Sequence, residues 1–214
     1  MPEGQRRSQS AVGFTVKSGW ASAALLTGSA ASPRVLDSRR LDLSDPAAPD
    51  SRQPFHAGFA TARRRGAELS RLVGSVKRFG RRSVAGLIRD YGAAGHNIAG
   101  TGIVVGSLID PERITNAHIR IHALEGQLFR RVVEDAAIRS GLACLIWRDR
   151  DLYARAAEIL KQPERQLRAR LAVLGRSIVG PWRAEQKAAA LAAWLVLEGR
   201  VGAMHTIRSR GPSA

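Results

Sequence analysis

A turn between two apolar segments carries the residues of this chain that are best suited to hold an anion. Lys17, Ser18 and Gly19 follow the apolar segment 12–16, and Trp20 comes directly after them. An ammonium group beside the free backbone N–H groups of a glycine-containing corner can bind a phosphate. A plain hairpin turn with Lys17 pointing to solvent is the alternative interpretation. These four residues are the first candidates for a phosphate-binding cleft.

A basic stretch that leads into a helix is the second candidate surface. The chain has 34 lysines and arginines against 18 acidic residues, which gives a net charge of +16. Such a field attracts polyanions, and nucleic acid is the leading one. A solvated helix face, in a composition rich in arginine and alanine, would account for the same residues. The candidate contact residues are Arg63, Arg64, Arg65, Lys77, Arg78, Arg81 and Arg82.

Metal-ligating residues are few. His118, His122 and Glu125 are spaced to project from neighbouring turns of one helix, where they could meet a zinc ion. Ile119 breaks the metalloprotease pattern, and an ordinary surface pair of histidines has the same spacing. The single cysteine, Cys144, excludes a disulfide within the chain and a cysteine-based zinc site. We expect neither a metal nor a cofactor.

The hydrophobic pattern predicts an α/β protein. Short strands are expected at 12–16, 21–26 and 34–43, at 103–109 and at 143–147. A long amphipathic helix is expected from Ala67, with a break near Gly80, and a second one over 118–139. Three further helices are expected over 152–161, 164–174 and 184–197. The strand near 103–109 is apolar throughout, which is typical of a strand buried on both faces.

One domain accounts for most of the length. We expect it over residues 11–198, with a disordered arm at 1–10, a Pro- and Arg-rich loop at 44–66 and a basic tail at 199–214. No apolar stretch approaches the roughly 18 residues of a membrane span, and residues 1–10 are too short and polar for a secretory signal. We therefore expect a cytoplasmic bacterial protein with no membrane contact.

The order of elements, rather than any motif, resembles the ribonuclease H-like fold. That fold is shared by Holliday-junction resolvases, their relatives in pre-ribosomal-RNA processing and the halves of actin-like ATPases. The resemblance spans residues 11–198 and is closest to the resolvases. It implies a mixed sheet, with three antiparallel strands followed by a β-α-β-α unit, and C-terminal helices. The ATPases of this fold close two such domains over a nucleotide, whereas this chain has room for one.

The resemblance also implies where catalytic carboxylates would stand. The enzymes of the fold carry them at the end of strand one, near the end of strand four and on the last helix, where they hold two divalent cations. The matching positions here are Lys17, the segment 105–107 with Ser107, and Glu185. Only Glu185 is acidic. An ammonium in place of a metal ligand repels the cations, so we expect no ordinary two-metal catalysis.

Three functional hypotheses follow. The leading one is a non-catalytic binding or scaffold role, with nucleic acid as the candidate partner of the basic helix and the cleft. The second is a divergent metal-dependent nuclease or phosphohydrolase that uses Asp110, Glu185 and either Asp37 or Asp42. The third is a protein-interaction subunit that docks a protein partner through the loop 45–59, which carries Phe55, His56 and Phe59.

Overall fold

Five strands form one mixed sheet with helices on both of its faces. The computed structural model of the chain describes residues 9–56 and 65–199. The strands are β1 (Gln9–Lys17), β2 (Trp20–Gly28), β3 (Pro33–Asp42), β4 (Asn97–Val105) and β5 (Cys144–Arg148), and the helices are α1 (Gly66–Ala93), α2 (Ala117–Arg139), α3 (Asp149–Leu160), α4 (Glu164–Leu174) and α5 (Ala184–Leu197).

The strand order is β3-β2-β1-β4-β5. β1, β2 and β3 pair antiparallel, whereas β4 and β5 run parallel to β1. The antiparallel part follows from short hairpin connections, and each parallel pairing needs a crossover helix, α1 before β4 and α2 before β5. The predicted α/β class, and the meander followed by a β-α-β-α unit, are confirmed.

Helix α5 packs unusually close to one face of the sheet. Gly13 and Gly102 are register partners on β1 and β4. A Cβ atom on Gly13 would lie 1.8 Å from the carbonyl oxygen of Ala189, and one on Gly102 would lie 2.5 Å from that of Ala192. Both contacts are shorter than any tolerated by a side chain, so this crossing requires glycine on the strands and alanine on the helix.

Helix α5 is buried on all sides, because α3 and α4 cover the surface that the sheet leaves open. Trp194 and Leu191 of α5 are fully buried in a cluster that also includes Leu152 and Leu167. A helix in this position is apolar around its whole circumference. No helix within the described ranges has both the length and the apolar character needed to cross a membrane.

The larger side chains pack on the opposite face, under α1 and α2. Val12, Phe14 and Val16 alternate with the small residues of β1 and meet Phe129 of α2. Helix α1 is continuous from Gly66 to Ala93, so the break predicted near Gly80 is wrong. A Cβ atom on Gly80 would lie 2.5 Å from a methyl group of Val132 and 2.9 Å from the carbonyl of Leu43. Gly80 is therefore a packing residue within the helix.

The fourth strand lies earlier than predicted. It covers Asn97–Val105 rather than 103–109, because the glycine-rich segment before Ile103 pairs with β1 from Gln9 onward and supplies the glycines that α5 needs. Ser107 consequently lies beyond the strand. Likewise, β1 begins at Gln9, inside the segment predicted to be a disordered arm. Residues 1–8 and 200–214 lie outside the described ranges.

Substituting Gly13 by alanine should lower the free energy of unfolding by about 3 kcal/mol or prevent folding, because an added methyl group in a packed core forces backbone shifts. Gly126→Ala in α2 is the matched control: its Cβ atom would meet nothing within 4 Å, and the helix propensity of alanine should raise stability by about 0.5–1 kcal/mol. Urea denaturation measures both. Equal effects of the two substitutions would contradict the close crossing.

Candidate functional site

The cleft lies at the edge of the sheet where the parallel strands β1 and β4 end. Thr15 and Val104 are register partners, so Gly106 follows β4 beside Lys17 at the end of β1. The hydroxyl of Thr15 donates a 2.9 Å hydrogen bond to the carbonyl of Glu185, which places the first turn of α5 over the same edge. The fold therefore brings the predicted positions Lys17 and Glu185, and the segment that contains Ser107, to one edge.

The turn after β1 is held from the loop that follows β3. Gly19 has a φ of 82°, a conformation that favours glycine. Its carbonyl accepts hydrogen bonds from the backbone N–H groups of Leu43 and Ser44 at 2.9 Å and 3.2 Å, and from the Ser44 hydroxyl at 3.2 Å. The side chain of Arg52 packs against the same turn. The turn predicted to bind an anion is thus firmly positioned, with Lys17 and Ser18 partly exposed.

Two cations and an aromatic ring share the face of the sheet that α5 covers. Lys17 and Trp20 are register partners, and Arg40 pairs with Ser22 two residues further along β2. The guanidinium of Arg40 lies 4.3 Å from the centroid of the Trp20 ring. A cation over an indole stabilises both groups by about 0.5–1 kcal/mol at an exposed site. Trp20 therefore serves to position Arg40 at the mouth of the cleft.

The carboxylates of the nuclease hypothesis are only partly brought together. Asp42 pairs with Trp20, the register partner of Lys17, so it lies at the cleft edge with Glu185, and its Oδ1 is 3.6 Å from the Nε of Arg40. Asp37 pairs with Leu25, whose β1 partner is Val12, so it lies five residues from the level of Lys17, or about 16 Å along the sheet. Its carboxylate accepts a 2.6 Å hydrogen bond from the hydroxyl of Tyr91. Asp110 caps a short 3₁₀ turn by accepting from the backbone N–H of Glu112. Within the described ranges, no cluster of metal-ligating side chains contains a residue of this set.

Helix α1 carries an exposed arginine ridge. Arg71, Arg78, Arg82 and Arg89 are all exposed, and their spacings of seven, four and seven residues place them on one stripe of the helix. Arg71 and Arg89 are 18 residue steps apart, which corresponds to about 27 Å along the helix. Arg71 and Arg89 were not among the candidate contact residues, although a helical wheel of the sequence from Ala67 onward would have grouped them with Arg78 and Arg82.

Most of the candidate contact residues on and just before α1 are exposed, and one is held in an ion pair with α2. Arg65, Lys77, Arg78 and Arg82 are exposed. Arg81 instead turns toward α2 and donates a 2.5 Å hydrogen bond to the carboxylate of Asp135. Its role is to join α1 to α2. Arg63 and Arg64 lie outside the described residues.

The loop after β3 packs onto the domain. It contains a 3₁₀ turn, Pro49–Arg52, in which Ser51 is fully buried. Phe55 packs against the core under α1 and α2, and His56 contacts Glu125 of α2. In the described part of the loop, up to His56, the aromatic side chain of Phe55 therefore packs against the core of the domain itself. Phe59 lies outside the described residues.

A groove of about 500 Å³ opens beside the end of β4, between the first turns of α3 and α4. Its wall contains Tyr153, and the guanidinium of Arg168 lies 3.7 Å from the centroid of that ring. Burial raises the pKa of the Tyr153 hydroxyl, so this group is a neutral hydrogen-bond donor at physiological pH. Asp149, Arg150 and Glu164 complete a lining of mixed charge.

Two solved structures have this arrangement of elements. Thermus thermophilus RuvC in complex with a Holliday junction substrate is 11% identical, with a TM-score of 0.53 over 91% of this chain and 96% of that one. Another structure of Thermus thermophilus RuvC is also 11% identical, with a TM-score of 0.49 over 91% of this chain and 97% of that one. No protein-family model and no curated protein matches the sequence. The chain has the ribonuclease H-like fold, as its element order predicted.

Proposed function

We propose that this protein binds nucleic acid through the arginine ridge of α1 and the basic mouth of the cleft, and that the cleft does not carry out two-metal hydrolysis. The ridge is the observation that carries the proposal. Its four arginines are exposed along about 27 Å of one helix. Most hydrogen bonds between proteins and nucleic acids go to phosphate and sugar, and arginine suits phosphate because its donors form a planar fork.

The charges at the cleft support binding without cleavage. Lys17 occupies the position where the enzymes of this fold carry a metal-binding carboxylate, and Arg40 lies on the same face of the sheet. The first turn of α5 adds the positive end of a helix dipole. Each of these features stabilises a phosphate and repels Mg²⁺. Asp42, which pairs with Arg40, and Glu185 are too small a ligand set to hold two cations beside Lys17 and Arg40.

The nature of the nucleic acid is suggested by the structural comparison. The RuvC structure of the same fold was determined with a Holliday junction substrate. A four-way junction is therefore the first probe to compare with duplex and single-stranded DNA. The divergent-nuclease hypothesis, whose Asp42 and Glu185 share the cleft edge, and the protein-partner hypothesis are alternative outcomes of the experiments below.

Removing the ridge should reduce the salt dependence of binding. Each phosphate contact to duplex DNA contributes about 0.9 to the slope of log affinity against log salt. The double substitution Arg78→Ala and Arg82→Ala should lower that slope by roughly 2 and weaken binding in parallel. Fluorescence anisotropy of labelled DNA across a salt series measures both quantities.

A matched pair of arginines on the other side of the sheet provides the control. Arg155 of α3 and Arg165 of α4 are exposed, and their substitution by alanine removes the same net charge. This control should leave the slope almost unchanged. Equal slopes for the two double variants would exclude the ridge, and the absence of binding near physiological salt would favour a protein partner.

The same probes should remain uncut in Mg²⁺ or Mn²⁺, because the cleft lacks the carboxylates that hold two cations. Gel electrophoresis after long incubation checks this expectation. If cleavage occurs, Glu185→Gln should be compared with Glu198→Gln at the opposite end of the last helix. Cleavage that is lost in the first variant and kept in the second would establish the nuclease hypothesis.

A further inference from the structure

Three histidines from two distant segments meet beside the loop that follows β3. His118 and His122 lie one turn apart near the start of α2, and His56 reaches them from the loop. One ring nitrogen of each lies within 4.8 Å of the other two. The sequence predicted His118, His122 and Glu125 as a ligand set, whereas in the structure the third ligand atom of the cluster comes from His56, 62 positions before His118, and Glu125 contacts that ring.

The spacing of the pair fits a tetrahedral metal ion. The Nε2 atoms of His118 and His122 are 3.2 Å apart. Ligand nitrogens at 2.0–2.1 Å from zinc, in tetrahedral geometry, are separated by about 3.3 Å. The His56 ring centroid lies 4.8 Å from that of His122 and 6.4 Å from that of His118, so a bound ion would require the three rings to close by about an ångström.

Glu125 selects the metal-binding form of His56. Its side chain is fully buried, and its Oε1 lies 2.8 Å from Nδ1 of His56. When Glu125 is ionised its oxygen only accepts, so the Nδ1–H group of His56 donates and the Nε2 lone pair is available for a metal. A carboxylate that holds a ligating histidine through its other nitrogen is the usual outer shell of protein zinc sites.

The charge balance of this cluster also favours a cation. The other carboxylate oxygen of Glu125, Oε2, is buried and has no hydrogen-bond partner in the described part of the chain. A divalent ion on the far nitrogen of His56 would stabilise the buried carboxylate by attraction through the imidazole.

We infer that His56, His118 and His122 form a site for a divalent transition metal, with zinc as the ion that suits three imidazoles, and that Glu125 positions His56 from behind. Magnesium is excluded from this site because it prefers oxygen ligands in octahedral geometry. Three protein ligands leave a fourth position for water or another exchangeable ligand.

The site would attach the loop after β3 to α2. The loop also holds the Gly19 turn, through Ser44 and Arg52. A metal bound at His56 would therefore stabilise the wall of the cleft, even though it is separate from the cleft residues. This inference is independent of nucleic-acid binding, and its test does not require an activity.

Zinc binding to the protein without a histidine tag is the experiment. After treatment with a chelator, the protein should bind one Zn²⁺ per chain in calorimetric titration and retain it through gel filtration, whereas Mg²⁺ should give no heat. Co²⁺ should give the visible absorption of a tetrahedral site. His118→Gln and His122→Gln should each abolish stoichiometric retention. Both positions are exposed, so the fold should persist, which circular dichroism checks.

Two further variants separate a built site from unspecific binding. His96→Gln alters a histidine outside the cluster, next to Tyr91, and should bind zinc like the unmodified protein. Glu125→Gln should weaken zinc binding about 10- to 100-fold, because outer-shell partners typically contribute that much. Less than one zinc per chain, or unchanged retention in the His118→Gln and His122→Gln variants, would overturn the inference whatever the behaviour of Glu125→Gln.

Discussion

The close crossing of α5 over Gly13 and Gly102 is the contact on which the rest of the structure depends. The backbone of the helix meets the backbone of two neighbouring strands, so no side chain fits between them. Alanines at 188–190, 192 and 193 are the counterpart on the helix. The crossing fixes where α5 begins, and the hydroxyl of Thr15 then positions the carbonyl of Glu185 at the cleft. The small residues of one face thus determine the geometry of the site.

Large side chains fill the opposite face of the sheet, where the helices lie further from the strands. Phe14, Phe129 and Tyr91 fill the space under α1 and α2, where the helices are held further from the sheet. The exception is Gly80, which allows α1 to approach the backbone of Leu43. That contact holds the start of the loop after β3 against the sheet, while Arg52 packs on the Gly19 turn. The loop therefore reaches α2 at His56 without a secondary structure of its own beyond one 3₁₀ turn.

Much of this fold could be predicted from local pattern, and the exceptions have physical reasons. The periodicity of α4 and α5 predicted their bounds as observed, because their apolar residues report burial directly. The break at Gly80 and the late start of β4 were wrong because glycine was interpreted as a breaker, whereas Gly80 and Gly102 serve close packing. The position of His56 beside α2 could not be predicted from the sequence, since its contact with Glu125 spans 69 residues and no local spacing encodes it. Arg89, in contrast, could have been predicted as part of the arginine ridge by extending the helical wheel of α1 to the end of the helix.

The cleft and the histidine cluster differ in the charge of the ion that they favour. The cleft favours an anion, whereas the histidine cluster favours a cation. At the cleft, Lys17, Arg40 and the start of α5 place positive charge where hard cations would have to bind, which is the basis for proposing phosphate contact there. At the histidine cluster, three imidazoles stand beside a buried carboxylate, which is the basis for proposing a softer cation there. The same fold gathers carboxylates for hydrolysis in other proteins, whereas here we propose phosphate contact at the sheet edge and metal binding at the loop that supports it. A metal bound at His56 would act on the cleft through the contacts of Ser44 and Arg52 with the Gly19 turn.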